Sequence, residues 1–166
     1  MTPLACLACT TIIVGKNASQ DGSVIIARND DSKAQVGQRF IIHPAHKYLK
    51  GQLFRSNANH FTYPMPTNAL RYSGIPTWNQ NKKNLTHEEA GLNSLNIGVS
   101  ATETIYNSAA ALRKDPYVLK TGINEDSIVS VLLPRIHSAL EGVKLLGKII
   151  ETRGTDEGFG VAIADA

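Results

Sequence analysis

The sequence predicts an α+β fold in which a layer of helices covers a layer of β-structure. Three observations lead there. From Cys9 to Pro44 the chain holds short β-branched runs separated by turn residues; from Asp126 to Gly154 its apolar residues recur at helical spacing; and residues 158–166 form a closing apolar run. With 166 residues, 42% of them hydrophobic and 19% charged, the chain can bury one core, and a single globular domain is expected.

Thr10 to Val14 is apolar and β-branched, Asn17 to Gly22 supplies turn chemistry, and Ser23 to Ala27 is a second apolar run, so these two runs should pair as an antiparallel hairpin. Phe40-Ile41-Ile42 reads as a third strand. Between His46 and about Glu89 the chain is rich in Asn, Pro, Tyr and Thr and lacks apolar periodicity. That stretch is expected to be loops with one short strand near Ala69 to Tyr72, an arrangement that often surrounds a cleft. A further β-like run extends from Asn96 to Thr102. Asp126-Ser127 can start a helix carrying Ile128, Val129, Val131, Leu132 and Leu133, interrupted by Pro134. Ser138 and Glu141 form a capping-box pattern ahead of Leu140, Val143, Leu146, Ile149 and Ile150, and Gly154 closes this second helix. The apolar run at 158–166 reads as a buried strand. Domains rarely stop abruptly on such a strand, so a truncated chain is expected.

Composition excludes several roles. The net charge of +3 is spread thinly, its densest clusters being the pairs Lys82-Lys83 and Arg113-Lys114, so no nucleic-acid partner is expected. No apolar stretch approaches the ~20 residues that span a bilayer, and no membrane partner is expected. Leu4-Ala5-Cys6 and Leu7-Ala8-Cys9 suggest a signal peptide, but there is no positive leading segment and the apolar part is short, so the expected location is cytoplasmic. The two cysteines, Cys6 and Cys9, share a Cys-x-x-Cys spacing. A redox pair of that kind follows a strand and opens a helix, whereas Cys9 runs directly into Thr10 to Val14. With no second cysteine pair and no helical spacing among His43, His46, His60, His87 and His137, no metal site is expected.

Several segments together resemble a known family. They are Cys9-Thr10-Thr11-Ile12-Ile13-Val14-Gly15-Lys16, Asp21-Gly22-Ser23 with Ala27-Arg28-Asn29-Asp30-Asp31-Ser32, Val99-Ser100-Ala101-Thr102-Glu103-Thr104, and Glu141-Gly142-Val143 through Gly154 with Glu157-Gly158. In order and spacing they resemble the cysteine-type dipeptidase A family of the N-terminal nucleophile (Ntn) hydrolases. The resemblance covers residues 9–166 and corresponds to the N-terminal part of that family's longer chains. It implies an Ntn αββα sandwich, incomplete in a truncated chain, with residues 1–8 as a propeptide and 9–166 as the N-terminal part of the catalytic domain.

The resemblance also implies a chemistry. A thiol near neutral pH is mostly protonated, its ordinary pKa being ~8.5. In Ntn enzymes the base is the cysteine's own α-amine, which titrates at ~7.7–8.0 and lies beside the thiol. Autoproteolysis at the Ala8 carbonyl would expose that amine and discard Cys6. By resemblance the catalytic residues are Cys9, Arg28 and Asp31, with Arg28 supporting the thiolate and the intermediate and Asp31 orienting the amine. Asp30 stays an alternative to Asp31, because adjacent strand residues point to opposite faces. Ser100, Ala101, Thr102 and Glu103 are carried over as a substrate-binding or oxyanion region. The expected substrate is a dipeptide, with no cofactor. Two other readings stay open: an Ntn amidase of the penicillin-acylase or bile-salt-hydrolase type, and a non-catalytic fragment that is soluble only with its missing half or as a homo-oligomer.

Overall fold

The structure, a computed structural model, describes residues 9–31, 37–78, 88–103 and 105–166. The expected propeptide, with Cys6, lies outside the described residues, as do Ser32 and Thr104. Among the described residues there are twelve strands and three helices. In chain order they are β1 (Thr10–Val14), β2 (Ile25–Asn29), β3 (Gly37–Gln38), β4 (Ile41–His43), β5 (His46–Lys47), β6 (Leu53–Arg55), β7 (Thr62–Pro64), β8 (Asn68–Ala69), β9 (Tyr72–Trp78), β10 (Glu88–Asn93), β11 (Gly98–Thr102), α1 (Ala109–Lys114), α2 (Glu125–Leu132), α3 (Ala139–Arg153) and β12 (Gly160–Ala164).

The predicted hairpin forms. β1 pairs antiparallel with β2 from Thr10↔Asn29 to Val14↔Ile25, across a turn in which Gly22 takes a positive φ of 75° and Asp21 Oδ1 accepts from the Ser23 N–H at 3.0 Å. A larger antiparallel sheet runs β12-β11-β10-β9, with β3 and β4 both pairing with β9. The small hairpins β5-β8 and β6-β7 lie where the sequence suggested loops, and β9 is longer and later than the short strand expected at Ala69 to Tyr72. Two- and three-residue strands are too short to leave a readable apolar alternation, which is why composition alone pointed to loops there.

The two faces of the sheet are set by alternation along β11. Val99 and Ala101 are fully buried in the main core with Ile128, Val129, Leu132 and Leu133 of the α2 region and with Leu146 and Ile149 of α3. Gly98 and Ser100 point the other way, to the hairpin. A Cβ on Gly98 would stand 2.7 Å from Ile26 Cγ2, and Ser100 Oγ shares a 2.7 Å hydrogen bond with Thr11 Oγ1. Helices, sheet and hairpin therefore stack as three layers, with the hairpin over β11 and β12.

Helix ends follow the sequence in one case and depart from it in the other. Ser138 caps α3 by accepting from the Glu141 N–H at 3.1 Å, and Gly154 ends it at φ 70°. For α2 the N-cap is Asn124, whose Oδ1 accepts instead from Ser127 Oγ. The Glu125 N–H is satisfied from a distance by Glu157 Oε1 at 2.8 Å. Helix α1, absent from the sequence reading, has no buried residue and hence no apolar face to detect.

A β-bulge in β10 puts Glu89 and Ala90 on the same face of the sheet, with Glu88 on the other. Glu88 pairs with Pro76 and Gly91 with Gly74, so Glu89 and Ala90 together oppose Ile75 alone. Glu88 turns to the helices and accepts from Ser130 Oγ at 2.5 Å, from Tyr72 OH at 3.1 Å, and meets His43 Nε2 at 2.5 Å. Burial and this carboxylate push the Tyr72 hydroxyl well above the ordinary tyrosine range. Glu89 turns to the hairpin.

Burial, and the nearby Asp156, Glu103 and Asp126, push the Glu157 carboxyl up to about 7. An acid with a raised folded pKa contributes stability that is full below its unfolded value, ~4.3, and is lost as pH rises through the folded one. In Glu157→Gln the urea midpoint should therefore fall less between about pH 4.5 and 7 than in the wild type; an equally steep fall would contradict this reading of the Glu157 environment. Gly98→Ala should cost about 1–3 kcal/mol in the same assay, because the hairpin must lift off the sheet to admit the methyl group; an unchanged midpoint would mean that the two layers are not closely packed.

Candidate active site

Cys9 stands immediately before β1 and, by the register, opposite Asp30. Its Sγ lies 3.8 Å from Asp30 Oδ1, the thiol donating. Asn29 on the other face of β2 accepts from the Thr10 N–H through Oδ1 at 2.6 Å, and its Nδ2 donates to Asp31 Oδ1 at 2.9 Å. The pleat thus separates the two candidate aspartates: Asp30 shares the Cys9 side, and Asp31 makes its contact with Asn29. Cys9 is a free, half-buried thiol.

Arg28 sits opposite Thr11, two pairs further into the hairpin, on the face that meets the sheet. A diagonal neighbour of this kind is ~7–8 Å from Cys9 between backbones, within reach of a long side chain. The guanidinium itself is drawn elsewhere. Nη1 is ion-paired with Glu89 on the β10 bulge, and Nη2 with Glu125 Oε1 at 3.0 Å in the first turn of α2. All three side chains are at least nine-tenths buried. Arg28 Nε is buried without a hydrogen-bond partner among the described residues. The charge of Arg28, expected to support the thiolate, is met by two carboxylates.

The carried-over region on β11 divides by face. Ser100 is buried between the layers against Thr11. The Ala101 side chain lies in the helix-side core, leaving only its backbone for any other use. Thr102 Oγ1 donates to the Gly160 carbonyl at 3.4 Å, and Glu103 is exposed just past the strand. Because Gly98 meets Ile26 and Ser100 meets Thr11, the Thr102 end of β11 is the end beneath Cys9 and Asp30. The N-terminus of α2 and the Glu157 that caps it lie at that same end. Cys9, Arg28, Asp30, Thr102, Glu103 and the Glu89–Glu125 pair thus converge at one end of the sheet.

Glu89 and Glu125 are not among the residues that the sequence singled out. The available signal was indirect: an arginine on a strand facing a sheet needs carboxylate partners, and Glu88-Glu89 and Glu125-Asp126 are acidic positions flanking apolar segments. Chemically, the arrangement offers a thiol, a neighbouring carboxylate and a fixed guanidinium. Among the described residues no group of three or more histidine, cysteine or acidic side chains is placed to hold a metal ion.

Residues 8–166 match the sequence profile of peptidase family C69. A "Probable dipeptidase" of Salmonella dublin is 51% identical over 160 residues, covering 96% of this chain and 36% of that protein. A "Probable dipeptidase" of Latilactobacillus sakei is 41% identical over 95% of this chain and 33% of its own length, and a "Probable dipeptidase B" of Lactococcus lactis 42% identical over 95% and 32%. The chain spans about a third of the length of these curated relatives. The match takes in Cys9, the hairpin, the β10 bulge and both long helices, and the chain belongs to peptidase family C69, the cysteine-type dipeptidase A family.

Proposed function

We propose that this chain is the nucleophile-bearing part of a dipeptidase that uses Cys9 as an N-terminal nucleophile on an Ntn αββα scaffold. The observation that carries the reading is the register of the hairpin, which sets the Cys9 thiol against Asp30 with Arg28 two pairs away on the same face, in a member of a peptidase family. The exposed apolar side chains Ile12 and Ile25 support the scaffold, since a second helical layer would cover them.

In processing, the Cys9 thiol attacks the Ala8 carbonyl, the peptide nitrogen leaves as the Cys9 α-amine, and water hydrolyses the thioester to release residues 1–8. In turnover the α-amine takes the thiol proton and the thiolate adds to the substrate carbonyl. The protonated amine then gives its proton to the departing amino acid, leaving a thioester that water cleaves. The 3.8 Å contact favours Asp30 over Asp31 as the carboxylate that orients the amine. Ser100 to Glu103 border the space for the substrate. A thiol nucleophile that is free among the described residues suits a reducing compartment such as the cytoplasm.

The test combines mass and turnover. The wild type should lose residues 1–8 and hydrolyse dipeptides faster than bulky acyl amides, while Cys9→Ala should keep residues 1–8 and lose about 10³-fold or more of the activity. Cleavage before residue 9 in Cys9→Ala would end the autocatalytic account, and a preference for acyl amides would replace the dipeptidase with an amidase. Asp30→Asn should cost more turnover than Asp31→Asn; the reverse order would return the role to Asp31.

A further inference from the structure

The buried Arg28 cluster joins three elements. One guanidinium is ion-paired with two carboxylates, and all three side chains are at least nine-tenths buried. The carboxylates come from opposite sides of the sheet, Glu89 through the extra residue of the β10 bulge and Glu125 from the start of α2. Between them they hold Nη1 and Nη2, which fixes the plane of the guanidinium and leaves the buried Nε–H without a partner among the described residues. A carboxylate pair gripping both ends of an arginine fixes its orientation more tightly than one partner does, because each N–H direction is set by the planar group.

We propose that Glu89 and Glu125 are positioning residues for the Cys9 site: acting through Arg28, which shares the Cys9 face of the hairpin, they hold the guanidinium in one orientation and offset its charge, so that the end of the sheet where Cys9 stands carries a fixed rather than a mobile cation. This rests on the reading of Cys9 as the nucleophile. Other charged groups near this end of the sheet are Asp30 and Asp31 after β2, Glu103 after β11, Asp126 in α2, and Asp156 and Glu157 ahead of β12; they remain unchanged in the variants below.

The experiment uses Glu89→Gln and Glu125→Gln in the 166-residue chain with Cys6→Ser, which leaves Cys9 as the single thiol. Iodoacetamide alkylation of Cys9 is followed against pH by intact mass, and dipeptide hydrolysis is measured beside it. Removing either carboxylate leaves the charge of Arg28 less offset, so the alkylation midpoint should move down by roughly 0.5–1 pH unit. Alkylation at pH 7 rises accordingly, while turnover falls about tenfold as the guanidinium loses its fixed orientation. Glu125→Asp should restore the midpoint. A purely structural role would lower both rates with no shift of midpoint, and that result, or turnover rising together with alkylation, overturns the proposal. If a variant does not fold, the other carboxylate's variant carries the same comparison, and the alkylation midpoint alone decides wherever no turnover is measured. Dipeptide hydrolysis that survives Cys9→Ala would overturn the nucleophile reading instead, leaving the midpoints to report on the clamp.

Discussion

The ion-paired cluster of Arg28, Glu89 and Glu125 is the constraint on which the rest depends. It ties the hairpin to the central sheet and to the first turn of α2 through three side chains that are nearly excluded from water. Buried charges are tolerated only with partners and good geometry, and breaking such a set by removing one member typically costs about 3–5 kcal/mol. The hairpin otherwise meets the sheet through a few side chains, among them Thr11 against Ser100 and Ile26 against Gly98. Without the cluster, the hairpin that Cys9 opens would be tied to the sheet by these few contacts alone.

The β10 bulge is how the backbone makes this possible. In a regular strand Glu88 and Glu89 would alternate in step with β9 and β11, and Ala90 would fall on the wrong face for its pairing with Ser100. The extra residue sends Glu88 into the Tyr72, Ser130 and His43 network on the helix side and leaves Glu89 and Ala90 on the hairpin side. Two buried carboxylates on adjacent residues thus find different partners. Gly74 belongs to the same arrangement, because a Cβ there would overlap the Glu88 carboxylate.

What the sequence made legible were features with local causes. The β-branched run from Thr10 to Val14, the turn at Asp21-Gly22 and the Ser138–Gly154 boundaries of α3 each follow from a few neighbouring residues, and the hairpin register then brings Arg28 and Asp30 to Cys9. What it hid depends on contacts between distant segments. Glu89 and Glu125 become partners of Arg28 only in the folded chain, and Glu157 caps a helix that begins 32 residues before it. The short strands between His46 and Ala69 pair too briefly to show a period. That Asp30 rather than Asp31 meets the Cys9 thiol depends on the pleat of the folded hairpin, which no composition or spacing supplies.

Urea denaturation of Arg28→Met beside the triple variant Arg28→Met/Glu89→Gln/Glu125→Gln tests the central role of the cluster most directly. Arg28→Met leaves two buried carboxylates unpaired and should lose about 3 kcal/mol or more, whereas the triple variant removes all three charges and should recover most of that loss. Equal losses in the two variants, or no loss in Arg28→Met, would contradict the account.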